Sequence, residues 1–135
     1  MVKKYLLDTN ILIDLYHNNR RVVEMMENLD MKECEICSAV TAEFFQGFYR
    51  KKNTKKEKKW YSELVRSAQM TILSFDESAA EKYAEIQVAK LKKGKPRPFF
   101  DLVIAATTIV NGMILVTSNL KDFEMIEGLK VYKAK

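Results

Sequence analysis

Short apolar runs alternate with stretches of helical periodicity along the chain. Tyr5-Leu6-Leu7 is an apolar run that stops at Asp8 and reads as a buried strand. Ile11, Leu12, Leu15 and Tyr16 follow at helical spacing, and Val22, Val23, Met26 and Leu29 mark one face of a second helix. Ile36–Val40 reads as a second buried strand, with Thr41 as the N-cap of a helix through Phe44, Phe45 and Phe48. A helix around Trp60, Leu64 and Val65 precedes a third strand at Thr71–Leu73. Asp76 is placed to cap a long helix carrying Ala79, Tyr83, Ile86 and Ala89, ended near Gly94. Pro98 suits the first turn of a helix through Leu102, Val103, Ala105, Ala106, Ile109 and Val110 that stops at Gly112. Met113–Val116 reads as a strand, Lys121-Asp122-Phe123 as a turn and Lys130–Tyr132 as the last strand.

Strands that are apolar throughout, alternating with helices, predict an α/β fold with three layers, α/β/α. Its central sheet is mostly parallel, with about five strands. The 135 residues suit one domain spanning 1–135, without repeat or linker. With 47% hydrophobic and 30% charged residues, the chain supports a packed core. No run approaches the ~20 apolar residues that cross a bilayer. The N-terminus reaches Asp8 too soon for a secretory signal. Two cysteines build no disulfide framework, which points to a cytoplasmic protein.

Composition also removes whole classes of chemistry. The four glycines lie far apart, so dinucleotide and Walker-type phosphate loops are excluded. The one histidine, His17, excludes His-pair acid–base work and leaves zinc few ligands. Cys34-Glu35-Ile36-Cys37 enters a predicted strand rather than the helix start that a redox pair uses. The seven methionines read as core filling. Carboxylates, lysines and arginines remain.

Those charges are unevenly placed. Arg50–Lys59 carries +6 and Lys90–Arg97 carries +5, against +5 for the whole chain, so the rest of the molecule is at −6. Two basic patches on an acidic body suit a polyanion such as RNA, with Arg50, Lys51, Lys95 and Arg97 as backbone-binding candidates. The acids fall where strands end or helices begin, and open parallel sheets place ligands beyond the carboxyl ends of their strands. Asp8 and Asn10 follow the first strand, and Glu43 is expected in the first turn after the second. Asp101 opens the Pro98 helix, and Thr117, Ser118, Asn119 and Asp122 follow Val116. Carboxylates crowded at one rim repel one another unless a cation lies between them. A hard divalent ion, Mg2+ or Mn2+, suits such oxygen ligands and serves phosphodiester hydrolysis without a histidine or serine nucleophile.

Four segments carry a resemblance: Leu6–Asp14, Ser38–Gly47, Phe100–Ala106 and Leu115–Phe123. Together they resemble the PIN-domain family, and within it the VapC-type toxin ribonucleases of toxin–antitoxin pairs. The resemblance spans essentially the whole chain and implies a metal-dependent endoribonuclease. It casts Asp8, Glu43 and Asp101 as the three core acids and Asn10 as support for the first. Thr117 matches a hydroxyl near the site. Asn119 stands where many relatives carry a fourth acid, and Asp122, three residues on, fills that role. A homodimer and a small antitoxin, whose C-terminal part crosses the active-site groove, follow from the resemblance alone. Two alternatives use the same residues. One is a catalytically degenerate PIN-like module that binds RNA or forms complexes. The other is a haloacid-dehalogenase-type phosphatase, which needs an acid where this chain has Asn10.

Overall fold

A computed structural model describes residues 2–95 and 97–133. Four parallel strands form the sheet: β1 (Tyr5–Leu7), β2 (Cys34–Glu35), β3 (Ile114–Val116) and β4 (Lys130–Val131), in the order β2-β1-β3-β4. Six helices connect them. These are α1 (Thr9–Tyr16), α2 (Arg20–Met26), α3 (Ser38–Phe48), α4 (Lys55–Ser67), α5 (Glu77–Lys92) and α6 (Phe99–Val110). Neighbouring strand residues point to opposite faces, yet Leu6 and Leu7 of β1 and Leu115 and Val116 of β3 are all fully buried. Both faces of the sheet are therefore covered, which is why these strands are apolar at every position.

The chain leaves β1 towards β2 on one side, then returns to β3 on the other. The order of strands reverses between β1 and β3, and the connections that follow them run to opposite sides of the sheet. Such a switch point is where open α/β sheets bind ligands. Leu6 pairs with Leu115 and Leu7 with Val116, so Asp8 and Thr117 emerge side by side. The helix α6 lies deepest: every residue from Leu102 to Thr108 is buried. Thr107 and Thr108 satisfy their hydroxyls on the carbonyls of Val103 and Ile104, at 2.8 and 2.7 Å.

The boundaries depart from the sequence reading around the second strand. The apolar run Ile36–Val40 divides in two. Ile36 and Cys37 stay outside the helix and run beside Leu73, with Leu73 N donating to Ile36 O at 3.0 Å and Ser38 N to Leu73 O at 2.8 Å. Ala39 and Val40 instead belong to α3, where they share a buried face with Phe44. Helical and strand periods coincide over so short a run. Thr41 therefore lies inside α3 rather than capping it, and its hydroxyl shares a 2.7 Å hydrogen bond with that of Tyr61. The expected strand at Thr71–Leu73 reduces to one parallel bridge between Cys37 and Leu73, leaving four strands rather than about five. Elsewhere the signals hold. Asp76 accepts a bond from Ala79 N at 2.9 Å to cap α5, and Gly94 and Gly112 adopt positive φ just beyond α5 and α6.

Candidate active site

Asp8 both ends a strand and starts a helix. Its N–H continues the β1–β3 ladder by donating to Val116 O at 2.9 Å, and its carbonyl accepts from Ile11 N and Leu12 N of α1. The side chain is 4% exposed. Its Oδ1 accepts from Thr9 N at 2.8 Å, and its Oδ2 accepts from Thr117 Oγ1 at 2.7 Å. Thr117 accepts in turn from Asn119 N at 3.0 Å. The carboxylate is thus fixed from both sides of the strand switch.

Glu43 reaches the same place from the second turn of α3, not the first, because α3 begins four residues earlier than the sequence suggests. Thr9 Oγ1 donates to Glu43 Oε1 at 2.6 Å, so one threonine contacts both acids, one through its N–H and one through its hydroxyl. Thr9 escaped the sequence reading, although a hydroxyl between Asp8 and Asn10 at a helix start was a visible signal. Asp101 stands in the first turn of α6, and Asp122 in the short 3-10 turn Leu120–Phe123. Asn119 opens that turn, its carbonyl accepting from Asp122 N at 3.1 Å.

These four acids act on one another. Burial raises the Asp8 carboxyl above its ordinary value, and the charges of Glu43 and Asp122 push the same way against the Thr117 and Thr9 hydrogen bonds. Burial again leads at Asp101, with Asp8, Asp122 and Glu43 adding repulsion, and its carboxyl is pushed up to about 6. The Arg97 charge opposes this shift.

The other predicted residues are more scattered. Asn10 is exposed, and Thr9 and Thr117 make the contacts to Asp8 expected of it. Arg97 bonds Lys121 O at 3.2 Å and so stands at the acidic rim. Lys51 is committed elsewhere, its Nζ 2.8 Å from Glu57 Oε2. Arg50 lines an open apolar hollow beside Phe45 and Tyr49, and Lys95 is exposed beyond α5. Cys34 and Cys37 are free and buried, and burial pushes their thiols up to about 12 and about 11, which keeps them protonated and unreactive.

The donor set is all oxygen and all anionic, the chemistry a hard divalent cation requires. No lysine or arginine forms an ion pair with any of the four acids among the described residues. Among those residues no three acids stand close enough together to chelate one ion. The charges repel, and among the described residues only the Arg97 charge, acting on Asp101 without an ion pair, works against that repulsion.

The PIN domain family matches residues 5–129. The chain is 34% identical to Ribonuclease VapC1 of Rickettsia felis, over 93% of this chain and 92% of that one. It is 28% identical to the tRNA(fMet)-specific endonuclease VapC of Shigella flexneri, over 94% and 95%. The fold superposes on VapBC2 from Rickettsia felis, solved bound to a promoter DNA fragment, with a TM-score of 0.77. That match has 28% identity and covers 100% of both chains.

Proposed function

The chain belongs to the PIN-domain family, and we propose that it is a metal-dependent endoribonuclease hydrolysing RNA phosphodiester bonds, the toxin of a VapBC-type pair. One observation carries this reading: at the β1–β3 switch Thr9 bonds both Asp8 and Glu43 and Thr117 bonds Asp8, with Asp101 and Asp122 near enough for their charges to be felt there. These acids, with Asn119, are the residues that would hold Mg2+ or Mn2+, and they would have to draw closer together to share one ion. When bound, such an ion acidifies water, offsets phosphate charge and stabilises the leaving oxygen.

The chain's own residues set the stage for that chemistry. Thr9 N–H and the Thr117 hydroxyl each occupy one Asp8 oxygen, which fixes its orientation and leaves lone pairs free on both. Thr9 aims Glu43 in the same way. Glu43 or Asp101 orients the attacking water. Asn10, Thr117 and Asn119 line the path of the RNA strand. Arg97 would hold backbone phosphate beside Asp101, and Arg50 and Lys95 would extend the basic track, while Lys51 is taken up by Glu57. The partner that restrains the enzyme is a cognate antitoxin protein, and the active form is a homodimer. Among the described residues no helix is long and apolar enough to cross a membrane.

Asp8→Asn and Asp101→Asn should each abolish cleavage of single-stranded RNA by at least about 100-fold, the scale of a lost catalytic group, while circular dichroism stays native. Full activity in both variants, or equal activity in excess EDTA, would overturn the mechanism. A degenerate module that binds without cutting is favoured by a single fact, that no three described acids are gathered for chelation. Calorimetric titration with Mn2+ separates the two, because a degenerate site takes up negligible heat.

A further inference from the structure

A second cavity adjoins the carboxylates. It occupies about 560 Å3 between the α1–α2 corner and the carboxyl ends of β3 and β4. Thr117 forms part of its wall, and the same Thr117 hydroxyl donates to Asp8 Oδ2 at 2.7 Å. Whatever fills this cavity lies one side chain away from Asp8. The site described above does not use its other residues.

Its lining suits one nucleotide. Volumes of roughly 300–1,000 Å3 hold small ligands. Val22, Met25 and Leu120 give an apolar surface, and Tyr132 adds an aromatic ring of the kind on which unstacked RNA bases sit. Arg21 and Lys133 are both exposed and bring positive charge for the flanking phosphates. Two polar groups then select among bases. The Asp14 carboxylate accepts but does not donate, and no hydrogen bond to it is formed among the described residues. Asn19 spends its side-chain oxygen on Val22 N, at 3.3 Å, which leaves its amide N–H2 as the donor. Guanine alone among the RNA bases presents two adjacent N–H donors beside a carbonyl on its pairing edge. Adenine, cytosine and uracil would each turn an acceptor towards the carboxylate.

We propose that this cavity is a guanine-selective base subsite, with Asp14 as its specificity residue, placing a guanosine of single-stranded RNA next to the Asp8 centre. The choice of RNA as ligand rests on the nuclease reading. The selectivity rests on Asp14 and Asn19.

The test is binding in excess EDTA, where no cleavage is needed. Fluorescence anisotropy would compare labelled heptaribonucleotides UUUGUUU and UUUAUUU on the full chain and its variants. The wild-type protein should prefer the guanosine heptamer by roughly tenfold, the scale of one good bidentate base contact. Asp14→Asn should bring that ratio close to one, weakening UUUGUUU without weakening UUUAUUU. Lys133→Gln should weaken both heptamers equally and keep the ratio. Equal wild-type affinities, or a ratio unmoved by Asp14→Asn, would overturn the proposal. So would loss of cognate-antitoxin binding in Asp14→Asn with the RNA ratio intact, because the cavity would then serve the protein partner. Guanosine preference in a chain that cuts no RNA would sink the nuclease reading and spare the subsite. Cleavage without any preference would do the reverse.

Discussion

Asp8 and Glu57 are both carboxylates sealed from water, 4% and 1% exposed, and they have met that difficulty in opposite ways. Glu57 on α4 has its cation built in. Lys51 Nζ lies 2.8 Å from its Oε2, and the Tyr16 hydroxyl donates to the same oxygen at 2.7 Å. The Lys51 and Tyr16 hydrogen bonds hold the Glu57 carboxyl down at about 2, and the bond to Glu57 in turn pushes the Tyr16 hydroxyl up. The result ties α1, the segment after α3, and α4 into one aromatic-walled corner, where the Tyr16 ring meets Phe44, Phe48 and Trp60. Asp8 forms no ion pair among the described residues. Its neighbours are hydroxyls, an N–H and other acids, and its carboxyl is raised. One cluster carries its own cation on Glu57 Oε2, although Oε1 is buried without a hydrogen-bond partner. The other forms no ion pair among the described residues, and that unmet need for positive charge is the basis of the proposed metal site.

The contrast can be broken experimentally. The largest effect is the loss of cleavage in Asp8→Asn described above. Next comes Thr117→Val, which leaves every acid in place but frees one oxygen of Asp8. It should lower RNA cleavage by roughly 10–100-fold, the usual cost of losing a group that orients a metal ligand, and raise the Mn2+ concentration needed for half-maximal rate. A merely structural Thr117 would leave that concentration unchanged.

Stability then reads the two clusters with opposite signs. The Glu57 carboxyl is depressed in the folded chain, so its contribution is full above its ordinary value near 4.5 and is lost as pH falls towards about 2. Glu57→Gln should lower the thermal midpoint at pH 7, and the gap from wild type should close across that acid window. A gap independent of pH would mean packing alone is at work. Asp101 lies the other way. Its raised carboxyl makes the charged form unfavourable in the fold, so stability rises as pH drops through about 6. Asp101→Asn without metal should raise the midpoint at pH 8 by about 3 °C, after allowing for solvent screening at a partly exposed group. That gain should vanish below pH 4. A lower midpoint at pH 8 would show that Asp101 is held by contacts rather than strained by charge.

Much of this was legible in the chain. Asp8 after Tyr5-Leu6-Leu7, Asp101 after Pro98, and the α5 cap at Asp76 all come from strong local signals: an apolar run, a proline at a helix start, an Asp before a long periodic stretch. The run Ile36–Val40 misled because five apolar residues satisfy either period, and only the packing of Ala39 and Val40 with Phe44 decides for the helix. The basic block was legible as charge but not as structure. Nothing local says that Glu57, one acid among seven bases, turns inward and takes Lys51 with it. Thr9 was hidden for a similar reason, since its value lies in Glu43, 34 positions away.

The bond from Thr117 to Asp8 spans 109 positions along the polymer. A ribosome delivers the amino-terminal aspartate early and the threonine that steadies it late, after β3 has emerged to lie against β1. Until then the nascent chain has its first acid in hand but no clamp to set it.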